Sequence, residues 1–160
     1  MGITTQETKT SLPKETVNKL SQLVQINRDS ASGFQEAADA IDDKALASDF
    51  RVWAVDRTRQ ADELQALVEF NNGEAPEDRS WSAAAHQAWL NFRSALSGGN
   101  TYTVLAEAER GEDAIKERYE EILKDVAGSA ATDLLQQQYA SVKAVHDRVR
   151  DLRDARKSKK

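Results

Sequence analysis

Proline stands at only two positions of this chain, 13 and 76, and the run between them carries apolar residues at three- and four-residue intervals. A proline inside a helix removes a backbone donor and clashes with the preceding turn, so uninterrupted helices need stretches of this kind. The three-and-four spacing gathers the apolar groups on one helical face. From 14 to 40 that face holds Val17, Leu20, Leu23, Phe34 and Ala37, with Asn27 and Ser30 among them. Asp42 or Asp43 is the N-cap of a second helix, whose face carries Leu46, Phe50, Trp53, Arg57, Leu64 and Leu67 until Asn71-Asn72-Gly73 stops it. A polar loop through Pro76 leads to a shorter helix from 80 to 97 with Trp81, Ala85, Trp89, Phe92 and Leu96, closed by Gly98-Gly99. A fourth helix, from 101 to 126, follows Leu105, Ala108, Glu112, Ile115, Tyr119 and Ile122. Gly128-Ser129 breaks and recaps the chain, and a fifth helix from 130 to 156 follows Leu135, Gln138, Val142, Val145, Val149 and Leu152. No period-two strand pattern competes with these helices.

The lengths select the architecture. Each of the four longer helices spans about 40 Å at a rise of about 1.5 Å per residue. Short connections near 41 and 128 make the first two helices, and the last two, antiparallel neighbours. The stretch from 71 to 100 is long enough to travel the length of a bundle, so the fourth helix starts at the same end as the second. The fold class expected is all-α: a ferritin-like four-helix bundle with a long crossover carrying a fifth, shorter helix. It occupies residues 14–156, between a disordered segment 1–13 and a basic tail 157–160.

Composition narrows the function classes. Of 160 residues, 39% are hydrophobic and 31% charged, with a mean hydropathy of -0.68. No window of about 18 apolar residues exists to span a membrane, and the polar first residues show no signal-peptide core. The absence of cysteine removes disulfides, thiolate nucleophiles and cysteine-ligated metals. The net charge is -5, yet residues 148–160 carry +5 and the rest -10. An acidic body argues against a nucleic-acid surface. The basic end reads as a helix C-terminus complementing the macrodipole, or as a contact for lipid or nucleic acid. No phosphate-cradling glycine loop and no serine nucleophile arrangement is present.

Polar residues on apolar stripes are the remaining signal. Glu112 lies seven residues from both Leu105 and Tyr119, and Glu109 shares its face. A carboxylate buried there requires a partner. Arg57, Asn27 and Tyr119 lie on the inward faces of their helices, and His146 borders the stripe of the fifth. Two explanations compete for this buried polar layer of Asn27, Arg57 and Tyr119 with the glutamates. In one, Arg57 and a tyrosine satisfy the carboxylates and the layer fixes helix register. In the other, Glu63, Glu109, Glu112 and His146 hold a divalent metal ion (iron, manganese or zinc). A di-iron bundle takes Glu-x-x-His from two helices, whereas Ala66 follows Glu63 and Lys143 precedes His146 at that spacing. His86 and Trp89 read as a packing pair, the set Trp53, Trp81 and Trp89 as the dock of the crossover helix, and Gly33 and Gly111 as points of close helix approach or bending.

The blocks INRDSASGFQEAAD, DRTRQADELQAL, AAHQAWLNFRSALSGG, AEAERGEDAIKERYEEIL and QQYASVKAVHDRVRDLRD are similar to those of a bacterial domain-of-unknown-function family with a ferritin-like four-helix bundle. The resemblance runs over 14–154 and is most specific at ERGED (109–113) and HDRVRDLRD (146–154). It implies the fold, a bacterial cytoplasmic setting and an association with stress responses. Of a ferritin-type site, Glu63, Glu109, Glu112 and His146 are the positions that match. The function expected is that of a non-enzymatic helical bundle, with a homo-oligomer, preferably a dimer, as its working form. Its rivals are a mononuclear metal-binding or vestigial di-iron oxidase-type protein, and a helical adaptor with a basic C-terminal tail.

Overall fold

In a computed structural model, which describes residues 12–71, 83–98, 100–129 and 131–157, the chain is all-α. Its helices are α1 (Lys14–Ala40), α2 (Lys44–Phe70), α3 (Ala83–Ala95), α4 (Thr101–Asp125) and α5 (Ala131–Ala155). Local chemistry sets their ends. Pro13 precedes the first turn of α1, and its carbonyl accepts from Val17 N at 3.0 Å. Asp43 caps α2 by accepting from Leu46 N at 3.0 Å, and Asn100 caps α4 by accepting from Thr103 N at 2.9 Å. Gly128 turns the chain after α4 with φ +83°, a left-handed conformation that costs glycine little. Ser129 Oγ then accepts from Ala131 N at 3.2 Å at the start of α5.

Side-chain pairs fix the order of the long helices. Lys19 meets Asp125 and Asn27 meets Tyr119, so α1 and α4 are antiparallel. Asp43 meets Arg156 and Gln60 meets Gln138, so α2 and α5 are antiparallel. Glu109 meets Arg153 and Glu120 meets Tyr139, giving α4 and α5 the same relation. With α1 and α2 forming a hairpin, the ring runs α1, α2, α5, α4, and the parallel helices α2 and α4 face one another across the diagonal. The long crossover between them carries α3.

The core is continuous from Val17 and Leu20 to Val142 and Val149. At the α3 level it is aromatic: Phe34 packs against Phe50, Trp53, Trp89 and Phe92, with ring centroids 5.1–5.9 Å apart. Trp89 fills the space over two glycines. A Cβ added at Gly33 would lie 3.1 Å from its ring, and one at Gly111 only 2.6 Å. These glycines admit an indole from α3 between α1 and α4. Trp81, the Pro76 loop, Gly99 and most of the segments 1–13 and 157–160 lie outside the described residues.

Candidate functional site

The polar layer is built around one ion pair. Arg57 reaches from α2 to Glu112 on α4, with Nη1 2.7 Å from Oε2 and Nη2 2.5 Å from Oε1. Both side chains have no exposure to solvent. The fork-to-fork geometry matches two donors to two carboxylate oxygens, the arrangement in which an arginine–carboxylate pair is strongest. Arg57 Nη1 also donates to Ser30 Oγ on α1 at 3.3 Å, and its guanidinium carbon lies 5.9 Å from the centre of the Phe34 ring. Stripe periodicity places these residues here, since Arg57 is seven residues from Phe50 and from Leu64, and Glu112 is seven from Leu105 and from Tyr119.

One to two helical turns away a hydrogen-bonded network that ends on the Glu63 carboxylate spans all four long helices. Asn27 Nδ2 donates to Tyr119 Oη at 3.0 Å and to Leu23 O at 3.0 Å. Tyr119 Oη donates to Gln138 Oε1 at 2.7 Å, and Gln138 Nε2 donates to Gln60 O at 3.2 Å and Glu63 Oε1 at 2.9 Å. Burial raises the Tyr119 hydroxyl well above its ordinary range, against the lowering effect of the Asn27 hydrogen bond, so it stays protonated and donating. Gln60 is wholly buried, and neither atom of its amide group has a hydrogen-bond partner.

The candidate metal ligands occupy separate contacts. Glu112 is engaged by Arg57, as above. Glu63 accepts from Gln138 and, at 3.4 Å, from Arg59 on its own helix. Glu109 pairs with Arg153 of α5. His146 Nε2 lies 2.6 Å from Asp113 Oδ1 and 4.0 Å from Glu109 Oε2, while its Nδ1 lies 3.1 Å from Asp147 Oδ1. Only Glu109 and His146 approach each other. Among the described residues no group of three or more His, Asp or Glu side chains is arranged to hold a metal ion. The donor set therefore does not fit a ferritin-type centre as it stands, and arginines occupy the carboxylates a metal would use.

Other polar residues sit differently from their sequence reading. His86 reaches Asp29 of α1, with Nδ1 3.1 Å from Oδ2, rather than simply lying against Trp89. Tyr139, which the apolar stripe of the fifth helix does not include, donates to Glu120 at 2.5 Å. Arg156, at the basic end, donates to the Asp43 carboxylate at 3.1 Å and to Leu152 O at 3.1 Å, which ties the end of α5 to the start of α2. Residues 158–160 of the basic tail lie outside the described residues. Asp113, Gln60 and Arg153 are the participants that stripe reasoning passed over. Gln60 carried a signal, being three residues from Arg57 and four from Leu64 on the buried face.

A family model described as Domain of unknown function (DUF2383) matches residues 15–125, from the first turn of α1 to the end of α4. Comparison with curated proteins and with solved structures returns no match. No helix among the described residues is long and apolar enough to cross a membrane.

Proposed function

The chain belongs to the family described as Domain of unknown function (DUF2383), and on that premise we propose that it is a non-enzymatic, ferritin-like bundle that acts through its outer surface. The observation that carries this reading is the buried Arg57–Glu112 pair. A carboxylate at the centre of a bundle serves either chemistry or structure, and here both its oxygens face one guanidinium. Breaking such a pair by removing one partner costs about 3–5 kcal/mol, because the other charge is left buried and alone. The pair and the network beside it tie the four long helices to one another through buried polar contacts. That is a register device, and it leaves the surface as the working part. The bacterial setting and the association with stress responses belong to the same proposal and rest on the family resemblance.

The second reading is a single divalent ion bound from the rim. It is favoured by the approach of His146 to Asp113 and Glu109. Metal analysis of full-length protein, purified without chelator and without a nickel affinity step, separates the two. The structural reading expects less than about half an equivalent of iron, manganese or zinc, and ferrous iron oxidised no faster than in buffer. A full equivalent, lost in His146→Ala and Glu109→Ala while the fold persists, would replace it with the metal reading.

A further inference from the structure

In the core, a chain of hydrogen bonds runs along three sides of the four-helix ring. Asn27 of α1 donates to Tyr119 of α4, Tyr119 donates to Gln138 of α5, and Gln138 donates to the Gln60 carbonyl of α2. On the fourth side, from α2 back to α1, the hairpin register sets Asn27 against Gln60. Phe34 packs on Trp53, and Ser30, four residues back along α1, accepts from Arg57, four residues on along α2. Three residues further on the same antiparallel course, Asn27 stands opposite Gln60. Both side chains are wholly buried. Yet Asn27 Oδ1 and both polar atoms of the Gln60 side chain have no hydrogen-bond partner among the described residues, and neither has Nε of the equally buried Arg57, one turn away.

The chemistry of these atoms selects what binds among them. Gln60 Nε2 and Arg57 Nε are donors, and Asn27 Oδ1 and Gln60 Oε1 are acceptors. Turning the Gln60 amide over exchanges its donor and its acceptor and leaves that balance unchanged. A buried amide without partners bears its full desolvation penalty, so a molecule that both donates and accepts is favoured here. An ion is not. A cation would face the two donors, and an anion the two carbonyl oxygens. The Arg57 charge is already matched by Glu112, so either ion would add an unmatched charge to the core. A neutral molecule with donors and acceptors in equal number meets neither objection. Water is the smallest of these, and a buried water makes about three hydrogen bonds to polar groups of this kind. Accepting from the Gln60 amide and donating to Asn27 Oδ1, it joins α2 to α1 and completes the ring.

We propose that the core binds a structural water molecule between Asn27 of α1 and Gln60 of α2, closing a hydrogen-bonded ring through all four long helices. The inference goes beyond the surface-acting reading and holds under either reading of the rim. A crystal structure of the full chain, at a resolution that shows ordered solvent, should place a solvent peak within hydrogen-bond distance of both Asn27 Oδ1 and the Gln60 amide. Side chains bonded directly to each other, or packed with no solvent between them, overturn the proposal. Oxygen-17 magnetic relaxation dispersion gives the solution counterpart, because it counts waters held for longer than the molecule takes to tumble. Gln60→Leu and Gln60→Met remove both polar atoms and keep a side chain of similar size. Each should hold one such water fewer than wild type, with circular dichroism confirming that the variant is folded. A wild type that holds none, or a count unchanged in the folded variants, also overturns it. Metal content does not enter either readout, so the water site and the surface-acting reading fail separately.

Discussion

A methyl group is the smallest change that tests how α3 is seated. Replacing glycine by alanine inside a helix ordinarily stabilises it by about 1 kcal/mol. At position 111 the new Cβ would lie 2.6 Å from Trp89 Cε2, and the indole is itself buried, so the ring must move. Gly111→Ala should therefore destabilise by about 1–3 kcal/mol, the usual range for overpacking. Gly33→Ala, with its nearest ring atom at 3.1 Å, should have a smaller effect. Trp89→Ala should cost about 3–5 kcal/mol through lost burial and the cavity left behind. In the Trp89→Ala background the obstruction is gone, and Gly111→Ala should become stabilising. Urea unfolding of the wild type, the two single variants and the double variant checks the change of sign; a Gly111→Ala effect unaltered by removing Trp89 would refute the packing argument. The sequence marked both glycines as points of close helix approach or bending. It could not show that a ring makes the approach, because Trp89 reaches them only once the crossover has folded back.

The caps decide where each element begins, and Asp43 serves two elements together. Its carboxylate accepts from Leu46 N and from Arg156. The backbone hydrogen bond from Leu46 is the larger cause holding its pKa below the ordinary carboxylate value, and Arg156 adds to it. A carboxylate depressed on folding contributes its stability above its unfolded value, about 3.9, and loses it as pH falls through the lower folded value. Asp43→Ala should thus cost about 1 kcal/mol at neutral pH, and less as the medium is acidified below about pH 4. Asp43→Asn keeps a capping oxygen and should flatten the dependence. Thermal melts of the three proteins across that range provide the measurement, and an Asp43→Ala deficit constant with pH would contradict the cap's ionic character. Element boundaries were largely legible because caps are local. Asp43, Gly98 and Gly128 mark ends in the sequence, and α1 runs over the expected 14–40. The crossover helix ends at Ala95, two residues before the expected 97, and its expected start at 80 lies outside the described residues.

For the whole molecule, what matters is which helix faces which at a given level. The seven-residue spacing around Glu112 identifies a buried carboxylate, and the corresponding spacing around Arg57 a buried cation. Loop lengths place α2 and α4 in the same direction, which makes the pairing of these two residues readable. The rim was less legible. Glu109 and His146 lie on the correct sides of their helices, but Arg153 and Asp113 stand at the same level and take up their polar atoms. Periodicity fixes the face of a helix; the neighbour met there depends on axial offset, which packing alone settles. On the register reading, Glu112 gives its charge to Arg57 and so holds the bundle in register. The most direct test of that reading is a double-mutant cycle of Arg57→Met and Glu112→Leu, measured by denaturant unfolding in the presence of chelator. Each single variant should lose about 3–5 kcal/mol, and the double should lose far less than their sum, with a coupling energy well above about 0.5 kcal/mol. Additive losses would show that the two charges are held by different partners and would contradict the account.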